Sequence, residues 1–260
     1  MHCRYVRECG TLIIRWLIIV VACLLTFLRA DDLDMPKLPE NFLKRPGSNI
    51  SPAKFNQILS REAHGVVKIQ IMHENGAASF GTGTFLSAEG HLISNLHVLK
   101  PLRDNPKVKV TYYLRNGTMI HSSTFIKCDD QPGIDLCVVR LDIRPHYWFP
   151  LKIKLPATYT SLYLIGNPVD KDFDIIAGRL FLPSTPQATD LRRLEVSVPV
   201  RPGFSGGPIF DDEGKLVCIA SELRYSHTLI GINWQPDPSS LHYFCIEASV
   251  VSKYIRKRNK

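Results

Sequence analysis

No Cys-x-x-Cys pair and no histidine–cysteine cluster at metal-ligand spacing occurs in this 260-residue chain. The sequence therefore predicts no structural zinc and calls for no cofactor. It also lacks low-complexity tracts and internal repeats of 20–50 residues, which excludes solenoid and array architectures. Basic residues outnumber acidic ones, 32 Lys and Arg against 24 Asp and Glu. Yet no basic stripe with interleaved aromatics runs along the chain, so nucleic acid is not an expected partner. Long apolar runs are limited to one, "WLIIVVACLLTFL", Trp16 to Leu28.

That run follows Arg4, Arg7 and Arg15 and precedes Ala30 and the acidic "DDLD". A basic flank, a short apolar core and a small residue at its end read as a secretory signal peptide over residues 1–30. Thirteen residues are few for a bilayer core of about 30 Å. A signal anchor over residues 11–28 is the alternative, with Arg15 inside the span. Either form leaves the rest of the chain outside the cytoplasm, periplasmic or extracellular, with the N-terminal segment the only contact with membrane. The segment carries four arginines and one glutamate, so about +5 of the formal +8 belongs to the remainder. Lys253, Arg256, Lys257, Arg258 and Lys260 cluster at the end, where cations suit the negative pole of a helix.

Cys128, Cys137, Cys218 and Cys245 remain after the leader. An even number in an exported chain permits disulfides in three pairings. Cys137 and Cys218 lie inside apolar runs, however, where small buried thiols are the plainer expectation.

Residues 31–62 read as a proline- and charge-rich linker with a short helix, Ser51 its cap and Pro52 its first turn. Beyond them the pattern is short apolar runs separated by turn residues. Asn116-Gly117 is a hairpin turn. A break at "RPHYWFPLKIKLP" divides two β modules, residues 63–145 and 146–260. "ASVVSKYIRKRNK" closes the chain with helical periodicity. The expected class is all-β.

"RPGFSGGPIFDDEGKLVCIA" crowds three glycines around Ser205. A nucleophilic serine needs a base, a group orienting the base, and backbone N–H donors for a developing oxyanion. Gly203, without a Cβ, can turn its N–H toward the point served by the Ser205 N–H, and Gly206 and Gly207 admit a substrate backbone. A glycine-rich hairpin would have the same composition. His97 stands at a strand end in "GTGTFLSAEGHLISNLHVLK", and Asp135 precedes an apolar strand in "QPGIDLCVVRL". His91 competes with His97, and Asp129 and Asp130 with Asp135.

The order His97, Asp135, Ser205, with separations of 38 and 70 residues, is that of chymotrypsin-like proteases. These segments, with "YLIGNP", resemble trypsin-like serine peptidases, and most of all the bacterial HtrA/DegP group, over about residues 65 to 256. The resemblance implies two six-stranded β-barrels with a short C-terminal helix and the site in the cleft between them. It implies that His97 is general base and then acid, that Asp135 orients it, that Ser205 is acylated, and that the Gly203 and Ser205 N–H groups form the oxyanion hole. It implies protein or peptide substrates, misfolded proteins among them, and a homo-oligomer in many relatives.

Departures from the group qualify this. The chain ends about ten residues after its last expected strand, without room for the usual PDZ domains. Phe204 stands where digestive trypsins have an aspartate that pairs with a freed N-terminus, so activation by propeptide cleavage is not implied. By resemblance Ser221, Glu222 and Leu223 would pair with the substrate backbone. Val198, Pro199 and Tyr243 would lie near the P1 pocket, which lacks an aspartate and suits small or medium aliphatic residues. An idle or ligand-activated protease fold used for binding is the alternative. An esterase is disfavoured, since its Ser…Asp…His order is not met.

Overall fold

The computed structural model describes residues 50–128, 135–181, 193–230 and 233–256, without the side chains of 222–241. The leader, the linker up to Asn49, the competing Asp129 and Asp130, and Lys257, Arg258 and Lys260 lie outside the described residues. No helix among the described residues is long and apolar enough to cross a membrane.

The chain enters through α1 (Pro52–Ser60), where the Ser51 hydroxyl accepts the Lys54 N–H at 3.2 Å and Pro52 opens the first turn. A 3-10 turn (Glu62–Gly65) leads into the first sheet. Its strands are β1 (Val66–Met72), β2 (Ala78–Phe85), β3 (His91–Ser94), β4 (Lys109–Leu114), β5 (Met119–Ile120), β6 (Thr124–Cys128) and β7 (Cys137–Arg140). Burial alternates along β1, as a half-buried strand requires. Between β3 and β4 lies α2 (Leu96–Asp104). The turn between β4 and β5 is the expected one: Gly117 has φ +85°, and the Thr118 N–H bonds to Asn116 Oδ1 at 3.0 Å.

The first sheet runs β5-β4-β1-β2-β3-β7-β6. Among the described residues it therefore differs from a closed six-stranded barrel: it has seven strands, and no ladder joins its ends β5 and β6. Strand β5 has only two residues, and residues 121–123 lie outside any strand before β6 begins. The second module is a closed six-stranded barrel, β10-β13-β12-β11-β8-β9. Its members are β8 (Ser161–Gly166), β9 (Asp174–Phe181), β10 (Arg193–Val196), β11 (Pro208–Phe210), β12 (Leu216–Ile230) and β13 (Asn233–Glu247). Helix α3 (Ala248–Arg256) follows β13 and buries Val250, Val251 and Tyr254, with Lys253 and Arg256 in its last turn.

One core joins both sheets. Ile93, Leu136 and Val138 of the first module pack with Tyr163, Phe210, Leu216 and Ile246 of the second, and Ile58 and Val251 from the helices complete it. A second cluster, around Ile69, Phe85, Leu92 and Tyr112, fills the first sheet alone. The cysteines correct the expectation of free thiols. Cys128 is bonded to Cys137 across the β6–β7 pair, and Cys218 to Cys245 across β12 and β13, with Cα separations of 4.2 and 5.6 Å. Strand pairing supplies the proximity: Cys128 and Cys137 are direct partners in register.

Candidate active site

Strand β3 carries the chain inward until Asn95, fully buried, stands at the N-cap of α2. His97 thus falls in the first turn of a helix, where backbone N–H groups have no intrahelical acceptor. Asp135 supplies one. Its Oδ1 accepts the His97 N–H at 3.0 Å, while its Oδ2 lies 2.7 Å from His97 Nδ1. An ionised carboxylate only accepts, so with Asp135 in that form Nδ1–H is the donor, and a neutral imidazole so held presents its lone pair at Nε2. The Asn95 amide donates to the Asp135 carbonyl at 2.9 Å and holds its backbone. The His97 side chain is 52% exposed and that of Asp135 23%, so the imidazole faces solvent while its partner is sheltered.

A second carboxylate contact comes from the other module. The Ser221 hydroxyl donates to Asp135 Oδ2 at 3.2 Å. The β12–β13 register shifts between Ala220 and Glu222, so Ser221 sits at a bulge, the device that re-aims a side chain. His91 instead lies 2.8 Å, through Nδ1, from Ser87 Oγ.

Ser205 lies on the turn before β11, half-buried, between glycines in the left-handed region, Gly203 at φ +92° and Gly206 at φ +88°. A Cβ at Gly203 would meet the backbone of Asn167 and Pro168, and one at Gly206 the Thr82 carbonyl and Ser94 hydroxyl. The Phe204 N–H bonds to Arg201 O at 3.0 Å, that of Gly206 to Ala220 O at 2.9 Å and that of Gly207 to Phe204 O at 2.8 Å. The N–H groups of Gly203 and Ser205 have no acceptor among the described residues. Likewise no hydrogen bond among them joins Ser205 Oγ to the His97 imidazole. Phe204 is fully buried, its ring packed on Gly166 with the Arg201 guanidinium 5.4 Å from its centroid. Arg201 also binds Asp174 at 2.9 Å.

The loop is held by residues that no motif pointed to. The buried Thr82 hydroxyl donates to Gly203 O at 2.6 Å and accepts from the Asn167 backbone N–H at 3.0 Å and its amide at 3.2 Å. Thr84 Oγ1 donates to Gly206 O at 2.8 Å, and the Thr82 N–H to Ser205 O at 2.9 Å. The Ser94 hydroxyl closes the set on Thr82 O at 2.7 Å. Their signal was present in "GTGTF" and "GNP": threonines at i and i+2 share one face of a strand.

Among the residues expected near the P1 side chain, Val198 is fully buried against Gly178 and Pro199 is half-buried. Tyr243 is only 2% exposed and pairs in register with Val196 and Leu223. Glu222 pairs with Phe244, and the side chains of Glu222 and Leu223 lie outside the described residues. No group of three or more His, Cys, Asp or Glu able to hold a metal occurs among the described residues.

Residues 81–219 match the family model of the trypsin-like peptidase domain, more than half of the chain. The chain belongs to that family. It is 29% identical over 154 residues to an uncharacterised protein of Sinorhizobium fredii, covering 57% of this chain and 23% of that protein. It is 28% identical over 161 residues to a probable periplasmic serine endoprotease DegP-like of Pseudomonas fluorescens, covering 56% of this chain and 30% of the other. The match thus spans less than a third of the length of either relative. The solved structure of the HtrA-type protease AlgW with a tripeptide superimposes with a TM-score of 0.59 at 20% identity, covering 79% of this chain and 63% of that one. The fold is that of HtrA-type proteases.

Proposed function

We propose that this chain is a serine endopeptidase that cleaves protein substrates through an acyl-enzyme. The observation that carries the reading is the paired grip of Asp135 on His97, through Nδ1 at 2.7 Å and the backbone N–H at 3.0 Å, beside a serine turn with two uncommitted N–H groups. In the proposed reaction Ser205 Oγ attacks the scissile carbonyl while His97 Nε2 takes its proton. Asp135 stabilises the imidazolium, and the oxyanion meets the Gly203 and Ser205 N–H groups. His97 then gives the proton to the leaving amine. Water enters, is deprotonated by the same nitrogen, and releases the acid, restoring Ser205.

Family membership and the relative named as a periplasmic serine endoprotease support this reading. The N-terminal apolar run and two disulfides support export, since disulfides persist in oxidising compartments. A periplasmic or extracellular site, a role in protein quality control and homo-oligomer assembly belong to the same proposal. The missing Ser205–His97 hydrogen bond favours a second reading, a protease fold that is idle or awaits a ligand. Such bonds often tighten only once substrate is bound.

The test compares the protein with Ser205→Ala, using unfolded casein and a fluorophosphonate probe. Cleavage and labelling by the parent, and neither by the alanine form, is the expected result. A folded parent that neither cuts nor labels leaves the binding reading.

A further inference from the structure

A cavity of about 210 Å³ opens between the β4–β5 hairpin, the 3-10 turn before β1 and the connection after β7. Its lining includes four basic side chains, His64, Arg115, Arg144 and His146, and no acidic one. None of the four forms an ion pair among the described residues. The two imidazoles meet edge to face with centroids 6.0 Å apart, and the Arg115 guanidinium stands 5.7 Å from the Phe173 ring centroid. Asn116 and Thr118 complete the polar lining. Asn116 Oδ1 already accepts from the Thr118 N–H, which leaves its NH₂ group as a further donor.

Such clustering works against folding, because like charges repel. Burial first, then Arg115 and then His146 push the His64 imidazole below its ordinary range, so the standing positive charge at the cavity comes from Arg115 and Arg144, with the imidazoles as N–H donors. Arg144 is the weakest of the influences on the Glu89 carboxyl, behind the Ser87 and backbone hydrogen bonds, desolvation and His91, and Glu89 does not line the cavity. Donors of one sign converging on a cavity of several water volumes, at about 30 Å³ each, match an anion with several acceptor oxygens. Arginine's planar fork presents paired N–H groups that fit phosphoryl and sulfuryl oxygens.

We propose that this cavity binds a tetrahedral oxyanion, a phosphoryl or sulfuryl group, held by Arg115, Arg144, His64 and His146. The site contains none of the residues His97, Asp135 and Ser205 and does not depend on the peptidase reading.

Calorimetric titration of the full-length protein with inorganic phosphate, and separately with sulfate, tests it at constant ionic strength, with acetate as reference anion. Expected is binding at least tenfold tighter for phosphate or sulfate than for acetate, the tighter of the two naming the source. The Arg115→Gln/Arg144→Gln variant should weaken that binding by about tenfold or more, since hydrogen bonds to a charged ligand are lost. Arg179→Gln, exposed on β9, should leave it unchanged. Should the glutamine pair fail to fold, Arg115→Lys/Arg144→Lys keeps the charge, loses the fork, and should still weaken binding. Equal affinity for all three anions overturns the proposal, as does undiminished binding by a folded double variant.

Discussion

Replacing Thr82 with valine removes one hydroxyl and almost no volume, from a residue that is fully buried. Gly203 O loses its donor at 2.6 Å, and the Asn167 N–H its acceptor at 3.0 Å. The Asn167 amide keeps a second acceptor, Val67 O, at 3.4 Å. Two buried backbone groups are therefore stranded, at about 1–3 kcal/mol each, so the loss should fall near 2–6 kcal/mol. At about 2–4 °C per kcal/mol for a domain of this size, the melting temperature should drop by roughly 4–24 °C. Thr84→Val strands one group, Gly206 O, and should cost about half as much. The backbone bond from Thr82 to Ser205 survives either change, so each variant isolates a side chain. Function should suffer beyond stability, because the hydroxyl pins the turn that presents Ser205. Fluorophosphonate labelling well below both melting temperatures should slow by about 10–100-fold in Thr82→Val, the scale expected of a small misplacement. A Thr82→Val protein that melts no lower than Thr84→Val and labels at the parent rate would falsify the clamp.

Tyr112 gives a pH test. Burial raises its phenol from 10.0 to about 12, against a weaker downward pull from the Ser123 hydroxyl. The folded value lies above the unfolded one, so its contribution is whole below pH 10 and is lost as pH rises toward 12; at about 1.36 kcal/mol per unit it amounts to roughly 2–3 kcal/mol. Urea midpoints from pH 9 to 12 should fall less steeply in Tyr112→Phe than in the parent, and parallel curves would refute the assignment. The disulfides should differ in worth: the bridges close separations of 27 and 9 residues. On chain entropy the Cys218→Ala/Cys245→Ala protein should lose about 3.5 kcal/mol and the Cys128→Ala/Cys137→Ala protein about 2.6 kcal/mol. Denaturant midpoints in the reverse order would show that native packing around the bridges, not loop closure, sets their value.

The all-β class was legible because turn residues separate short apolar runs throughout, and the hairpin at Asn116-Gly117 could be placed to the residue. Helix α2 was not, since Pro101 lies inside it and the sequence reads as a strand followed by a break. His97 consequently stands in a helical first turn, and Asp135 meets both its ring and its backbone. The three candidate residues could be picked out because each sits in a local pattern of glycines and apolar runs. The Thr82 clamp left only the i, i+2 threonines of "GTGTF" as a local mark: its partners lie 121 and 85 positions away, and only the fold brings them together. The cysteine bridges were hidden for the same reason, as pairing depends on strand register.

The candidate base and nucleophile sit on different sheets, so something must fix one against the other. The shared apolar core resists separation of the modules but is non-directional and tolerates sliding. Direction comes from polar ties that run both ways. Thr82 and Thr84 of the first sheet hold the serine turn of the second module. Ser221 of the second barrel in turn holds Asp135 of the first. A slide of one sheet past the other would break several of these bonds at once, most of them buried, and strand their acceptors. The carboxylate that orients His97 is thus gripped by the module that carries Ser205, and the geometry of the pair follows from the interface between the sheets.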